Sequence, residues 1–232
     1  SATSVAITGD SELTIGTVSA SSLTSFDASA LAGKLTATLG ANKVTAKAAT
    51  KDTKFIFAGN LDNNDTVVGG AGKDEVTATF ANETATTGKL NISAVETLTL
   101  ATGTDANTID LSSVTGLTTL GVVGGVQTIK GLDLGTTLLT TGGASSGATF
   151  KATAADATGA ADTLKVEAKN NADVTTTVEA KAIETLSISV NDTTTSSTNT
   201  QTFGLTKFEG TTINATQKSA GTSNIALGTL HK

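Results

Sequence analysis

The feature that most constrains the fold is an acidic pattern that recurs with the same internal distance in two parts of the chain. Asp74 is followed 22 residues later by Glu96-Thr97-Leu98, and Asp162 is followed 22 residues later by Glu184-Thr185-Leu186. The two copies lie 88 residues apart. Because biased composition alone does not reproduce an identical internal distance, the pattern indicates a repeated structural unit.

A second element repeats at a similar spacing, since residues 26–33 (FDASALAG) resemble residues 109–116 (IDLSSVTG). Together the two elements predict about two and a half copies of one unit. We expect a first unit over residues 1–90 that includes a Gly/Asp turn, a second over 91–178, and a partial third over 179–232.

Within each unit the apolar residues alternate with polar ones at a period of two. Leu98 and Leu100 are expected to point inward between Thr97 and Thr99, as are Val76 and Ala78. Turns rich in Gly, Asn and Asp separate these segments about every 8 to 12 residues, which predicts an all-β fold. A continuous β-solenoid or β-roll is favoured over tandem β-sandwich domains of about 85 residues, because no Cys, Trp or Pro marks such domains.

Composition narrows the classes of function. The chain has 7 Phe, no Trp or Tyr and 38% hydrophobic residues, so its core must consist of small aliphatic side chains. It has no Arg and a net charge of -6, which argues against nucleic acid as a partner. It also has no Cys, a single His near its C-terminus and no apolar run of membrane-spanning length. We therefore expect no catalytic activity and no transmembrane segment.

One turn carries the most specific motif in the sequence. From Gly69 the chain reads GGAGKDEVT, which fits the nonapeptide G-G-x-G-x-D-x-U-x at every specified position. The nine residues before it, 60–68, keep Asp65 and Val67 in phase with Asp74 and Val76. The glycines allow a tight turn, and the aspartates supply carboxylates on either side of it.

Calcium prefers six to eight oxygen ligands, which stacked turns of this kind offer as carbonyls and carboxylates. We expect Ca²⁺ ligands at Asp65, Gly70, Gly72 and Asp74, with weaker candidates at Asp62, Asn64 and Asp162. The alternative is a glycine turn that binds no ion. Around Asp162 two of the glycines are missing, so calcium is less expected there.

Two further acidic positions have a simpler explanation. Asp27 and Asp110 each precede a serine by two residues, a spacing at which aspartate closes an Asx-turn through its own backbone. A calcium role is the alternative for both. Glu96 and Glu184 stand at the starts of strands, where we expect outward charges that discourage edge pairing.

On these residues the chain resembles the calcium-dependent surface-layer proteins of Gram-negative bacteria, of the Caulobacter and Campylobacter type, within the repeats-in-toxin group. The resemblance rests on the nonapeptide, on Ser25-Phe26-Asp27-Ala28-Ser29 upstream of it and on residues 92–98 (ISAVETL) downstream. It implies a right-handed parallel β-solenoid and carries the family's calcium ligands over to Gly70, Gly72 and Asp74, and to Asp65.

The resemblance also implies what the protein does. It implies secretion by the type I route and calcium-driven self-assembly into a surface (S-layer) lattice at the extracellular cell surface, with lipopolysaccharide or a surface glycan as a further partner. Because no long tandem of nonapeptides follows, we expect an internal segment of a longer protein. The alternative function is a repeat of a secreted adhesin that binds glycans or a host surface. An ice-binding solenoid is a more distant alternative, since the Thr-x-Thr pairs do not recur at constant spacing.

Overall fold

Parallel strands stacked in successive coils form the whole of the described structure. The computed structural model describes residues 2–18, 21–40, 43–59, 61–80, 89–102, 107–123, 126–140, 148–153, 161–169, 174–179, 183–191, 199–205, 208–218 and 223–228. These residues contain 21 β-strands and no helix. All their strand pairs are parallel, so the predicted solenoid is confirmed and the alternative of tandem sandwich domains is wrong.

The chain divides into two units, Ser1–Gly103 with Ser113–Thr118, and Thr104–Ser112 with Thr119–Lys232. The strands of the first are β1 (Ser4–Gly9), β2 (Leu13–Val18), β3 (Ser25–Leu31), β4 (Leu35–Leu39), β5 (Thr45–Lys47), β6 (Thr53–Phe57), β7 (Thr66–Val68), β8 (Glu75–Phe80), β9 (Asn91–Ser93) and β10 (Thr97–Thr102). Odd-numbered strands form one sheet and even-numbered strands the other, so each coil gives one strand to each sheet.

The second unit repeats this arrangement. Its strands are β11 (Asn107–Asp110), β12 (Thr119–Val123), β13 (Val126–Lys130), β14 (Thr137–Thr140), β15 (Ala148–Thr153), β16 (Thr163–Ala168), β17 (Val174–Glu179), β18 (Thr185–Val190), β19 (Asn199–Gly204), β20 (Thr212–Gln217) and β21 (Ser223–Leu227). Odd and even strands again lie in separate sheets, each in sequence order.

The length of a coil can be read from the strand registers. Glu75 pairs with Thr97 on the next strand of its sheet, directly beside the Asp74–Glu96 pair. The 22-residue spacing found in the sequence is therefore one coil. Other coils differ in length. Leu35 pairs with Thr53, which is fewer than 22 residues further along the sequence, and Thr137 pairs with Lys165, which is more than 22 residues further along. The predicted unit boundaries near residues 90 and 178 stay a prediction.

The core consists of columns of inward side chains that run across the coils. In the first unit one column contains Ile15, Ala37, Phe55, Val76 and Leu98, which occupy matching positions on successive strands of the even-numbered sheet. Small and large residues alternate along it, which lets neighbouring layers interdigitate. Each fully buried Leu or Phe contributes about 1.5–3 kcal/mol. The predicted inward positions at residues 76, 78, 98 and 100 are all buried.

The opposite sheet of the first unit supplies a second column, Val5, Phe26, Ala46, Val67 and Ile92. The Phe26 and Phe55 rings meet across the interior at 5.9 Å between centroids and 88° between planes, an edge-to-face contact. The second unit has a comparable column of Leu120, Leu138, Val166, Ile188 and Ala215. The core therefore consists mainly of aliphatic side chains, and the expectation of small aliphatic side chains alone is wrong, because Phe26 and Phe55 are also fully buried in it.

Candidate functional site

The nonapeptide turn connects β7 to β8 and places Asp74 directly before β8. Its side chain is only 3% exposed. One carboxylate oxygen, Oδ1, accepts a hydrogen bond from the Thr53 amide at 2.8 Å, and Oδ2 accepts one from the Gly70 amide at 2.6 Å. The carboxylate thus joins its own turn to the start of β6, the neighbouring strand in the preceding coil.

The three glycines of the turn are required by the closeness of neighbouring coils. A Cβ atom at Gly70 would overlap the Ala49 carbonyl oxygen, and one at Gly72 would overlap the backbone of residues 51 and 52. At Gly69 a Cβ would overlap the Ala94 carbonyl. None of the three has a left-handed backbone, so the steric fit between coils is what demands glycine here.

Asp65 occupies the matching position in the opposite sheet, directly before β7, and is 1% exposed. Its Oδ1 accepts a hydrogen bond from the Val44 amide at 2.8 Å, and its Oδ2 accepts one from the Asp62 amide at 2.9 Å. Asp62 in turn accepts hydrogen bonds from the amide and the side chain of Asn64. The predicted residues Asp62, Asn64 and Asp65 therefore lie together in one turn.

The two buried carboxyl groups share one electrostatic character. Burial raises the pKa of Asp65 and of Asp74, because a charged carboxylate loses solvation in the interior. Hydrogen bonds from backbone amides lower both pKa values in part. The negative charge of Asp62 raises the pKa of Asp65, and that of Glu96 raises the pKa of Asp74. Neither carboxylate forms an ion pair with a lysine in the described part of the chain.

The acidic repeat of the sequence is a repeated contact between coils. The Asp74 amide donates to Oε2 of Glu96 at 2.7 Å, and the Asp162 amide donates to Oε2 of Glu184 at 2.8 Å. In both copies the carbonyl of the aspartate accepts the amide of the threonine that follows the glutamate, at 3.0 Å. The common structure predicted from the 22-residue distance is confirmed.

These contacts define an acid–amide bracket, in which an acidic side chain at the start of a strand accepts an amide at the matching place one coil earlier. Four pairs of this kind exist among the described residues: Val44 with Asp65, Thr53 with Asp74, Asp74 with Glu96, and Asp162 with Glu184. The expectation that Glu96 and Glu184 are outward charges is therefore wrong. Both are half-buried.

Asp162 takes part in a bracket with Glu184, but its side chain is less buried than that of Asp74. It is half-buried, whereas Asp74 is buried, and it also takes part in a further contact. Residues 157, 158 and 160, which correspond to the three glycines of the better turn, lie outside the described residues. The structure thus brings Gly70 to Asp74 and Asp62 to Asp65, and Asp162 belongs to the second unit.

The Asp-x-Ser elements contain the predicted local hydrogen bonds. Oδ1 of Asp27 accepts from both the amide and the hydroxyl of Ser29, and Oδ1 of Asp110 accepts from the Ser112 amide. Lys47 lies 3.0 Å from the other carboxylate oxygen of Asp27. The bonds from Ser29, followed by Lys47, lower the pKa of Asp27 to about 2.

A shallow polar groove along the starts of the even-numbered strands of the first unit was not predicted from the sequence. It encloses about 280 Å³ and is lined mainly by charged side chains. Two ion pairs cross it, Lys34 with Asp52 at 2.8 Å and Lys54 with Glu75 at 3.0 Å. The spacing of one coil brings these residues together, and it becomes visible in the sequence only once the coil length is known.

The arrangement defines the class of protein: a parallel β-solenoid whose strand starts are held by acid–amide brackets. Comparison with family models, curated proteins and solved structures found no match for the chain. Within the described residues, no three acidic, histidine or cysteine side chains form a cluster suited to a metal ion. Those residues also contain no helix long and apolar enough to span a membrane.

Proposed function

We propose that the protein is a structural component of a bacterial cell surface, secreted to the exterior of a Gram-negative cell, and that calcium controls its folding and self-assembly. The observation that supports this most directly is the pair of buried carboxylates, Asp65 and Asp74, which have no lysine partner among the described residues. A buried charge without a counter-ion is costly, so a cation bound nearby would stabilise the fold.

The residues around both carboxylates suit an oxygen-preferring cation. Each carboxylate has about four lone-pair sites and uses two of them for amide hydrogen bonds. Asp62 stands next to Asp65, and Glu96 next to Asp74. Calcium would be held by these acidic pairs together with turn carbonyls, including those of Gly70 and Gly72, and would supply positive charge that offsets their repulsion.

Without calcium the same residues make the first unit less stable. Burial first, and then the charge of the neighbouring acid, opposes ionisation of each buried carboxyl group and raises the pKa values of Asp65 and Asp74. The amide donors offset only part of this cost. A ligand that binds only the folded state adds stability by mass action, about 2.7 kcal/mol at one hundred times its Kd.

Calcium titration followed by circular dichroism tests the proposal, with magnesium as the control ion. We expect calcium, and not magnesium, to raise the melting temperature. Asp74→Ala should reduce that rise more than Asp162→Ala, which is the matched control in the second copy. Equal melting temperatures in calcium and in chelator would refute the calcium part of the proposal.

The self-assembly part has its own test. Electron microscopy of the purified chain should show ordered two-dimensional sheets when calcium is present and dispersed particles in chelator. Dispersed particles under both conditions would contradict a lattice role for this chain while leaving its calcium response unaffected.

A repeat segment of a secreted adhesin is the second candidate, and the polar groove of the first unit favours it. Three lysines, three acidic residues and two threonines face this groove of about 280 Å³, a set that can hydrogen-bond to sugar hydroxyls. A glycan array, with the double variant Lys34→Ala/Lys54→Ala as a control, separates the two roles. Saturable glycan binding by a monomer that is lost in the variant would favour the adhesin.

A further inference from the structure

Charged residues of alternating sign form a row across four neighbouring coils of the first unit. They stand just before the even-numbered strands β2, β4, β6 and β8, and in order along the stack they are Glu12, Lys34, Asp52 and Lys73. The strand registers place each member opposite the next one. We call this row the charge ladder. Since neighbouring strands lie about 4.8 Å apart, the ladder is about 14 Å long.

Only the two middle members of the ladder form an ion pair with each other. Lys34 and Asp52 are 2.8 Å apart, and both side chains remain about half exposed. Glu12 and Lys73 stand at the two ends and are exposed. Neither end residue has a side-chain hydrogen bond or an ion pair within the described part of the chain. All four charges are therefore open to a partner from outside.

The order of the signs makes the ladder complementary to a second copy of itself. If a second copy is turned through a half-turn about an axis parallel to the strands and laid face to face on the first, its ladder runs in the opposite direction. Glu12 of each copy then faces Lys73 of the other, and Lys34 faces Asp52, so four pairs of opposite charge form around one two-fold axis. A ladder with an odd number of members would place like charges opposite each other instead.

The next row on the same face of the sheet is compatible with this arrangement. Its members are Thr14, Thr36, Lys54 and Glu75. In the second copy Thr36 would face Lys54 and Thr14 would face Glu75, so no like charges meet. A threonine hydroxyl can accept a hydrogen bond from the lysine and donate one to the glutamate. Lys54 and Glu75 keep their ion pair within each copy.

We propose that two copies of this chain associate through the charge ladder as an antiparallel pair with two-fold symmetry. A second copy supplies four opposite charges at the spacing of the ladder, whereas a neutral sugar in the same groove would supply none. Exposed ion pairs each contribute little, and complementary charges mainly fix the orientation of the partner. We therefore expect a weak dimer that is sensitive to salt.

This inference rests on the proposed self-assembly and names one of its contact surfaces. Glu12 and the Lys34–Asp52 pair are not among the residues proposed to bind calcium, so the contact can be tested with and without that ion. A lattice would need further contacts of another kind, because a two-fold contact between identical surfaces closes a dimer and does not extend.

Charge reversal at the two ends of the ladder tests the inference in the full chain. Glu12→Lys makes both ends positive and Lys73→Glu makes both ends negative, so each variant alone should associate at least tenfold more weakly than the wild type. An equimolar mixture of the two variants should form a heterodimer, because the positive ends of one copy then face the negative ends of the other. The double variant Glu12→Lys/Lys73→Glu restores opposite signs and should dimerise again.

Sedimentation velocity from micromolar to millimolar protein, at low salt, with calcium and in chelator, gives the readout. We expect the wild type to shift from the 22.9 kDa monomer to a dimer as its concentration rises, and about 0.5 M salt to weaken that shift. Lys169→Glu and Glu209→Lys are the matched controls, because they make the same charge changes at exposed positions of the second unit. Circular dichroism checks that each variant is folded, and Lys34→Glu, which puts like charges at the centre, replaces Lys73→Glu if that variant is not.

A wild type that stays monomeric at every concentration overturns the inference, and glycan binding by that monomer would assign the groove to the adhesin role. A mixture that remains monomeric overturns it too, as does a Glu12→Lys variant that associates like the wild type. The result is distinct from the tests of the proposed function. Calcium-dependent sheets formed equally well by Glu12→Lys would refute the ladder contact alone, and dimers without sheets would refute the lattice alone.

Discussion

The pKa shifts of single carboxyl groups predict an unusual dependence of stability on pH. Asp27 has a folded pKa of about 2, below its ordinary value of 3.8, so it contributes stability that is present above pH 3.8 and lost as the pH falls toward 2. Asp65 and Asp74 have raised pKa values, so the folded state binds more protons just above pH 3.8. The stability that these two groups contribute is therefore present below pH 3.8, and it is lost as the pH rises from 3.8 through their raised pKa values.

We expect the free energy of unfolding in chelator to increase between about pH 2 and pH 4 and to decrease above that. Urea unfolding at a series of pH values measures it. Asp27→Asn should flatten the acid side of the curve and leave the other side unchanged. Stability that rises steadily from pH 2 to pH 7 would contradict the burial of Asp65 and Asp74.

A single buried hydroxyl offers a second prediction at this scale. Thr140, on β14, is 2% exposed, and its Oγ1 has no hydrogen-bond partner among the residues that the structure describes. Thr140→Val keeps the shape and removes the unpaired polar atom, so we expect it to stabilise the chain by about 1 kcal/mol. Urea unfolding measures the change. Thr119→Val, half-buried on the neighbouring strand, is the control and should be close to neutral.

At the scale of the turn and its strands, the fit between coils can be tested by adding a methyl group at glycines in crowded and open settings. Gly70→Ala and Gly72→Ala put that group into the backbone of the preceding coil, and we expect each to destabilise the first unit by about 3 kcal/mol. Gly16→Ala is the matched control, because nothing lies within 4 Å of a Cβ atom there. Thermal unfolding compares them. A Gly70→Ala variant as stable as Gly16→Ala would show that the coils are not packed as described.

The same elements show what the sequence reveals and what it hides. Alternation at residues 76–79 and 97–100 predicts strands with the correct inward face, because a period of two is a local property of the chain. The equal 22-residue distances reveal a common contact. The brackets from Glu96 and Glu184 are not predictable in this way, since an acid at the start of a strand looks the same in sequence whether it faces solvent or an amide of another coil. The overlap that excludes a side chain at Gly70 is equally non-local.

At the scale of the whole molecule, stacked coils make stability a sum of contacts between neighbours. Among the pairs described within the first unit, each even-numbered strand pairs only with the even-numbered strands of the coils directly before and after it. Each acid–amide bracket likewise joins two neighbouring coils. A local defect should therefore weaken adjacent coils and leave distant ones intact. This differs from a globular domain with one shared core, which unfolds as a single cooperative unit.

Hydrogen exchange measured by mass spectrometry distinguishes these outcomes in the Gly70→Ala variant. We expect faster exchange in β4 to β8, next to the defect, because opening there costs less free energy. Peptides covering β16 to β18 in the second unit should keep their wild-type rates, as should every region of the Gly16→Ala control. Equal acceleration of both units would mean that they unfold together. Faster exchange confined to the first unit would mean that each coil depends mainly on its neighbours. A calcium ion at Asp65 or Asp74 would then stabilise the coils around it before any others.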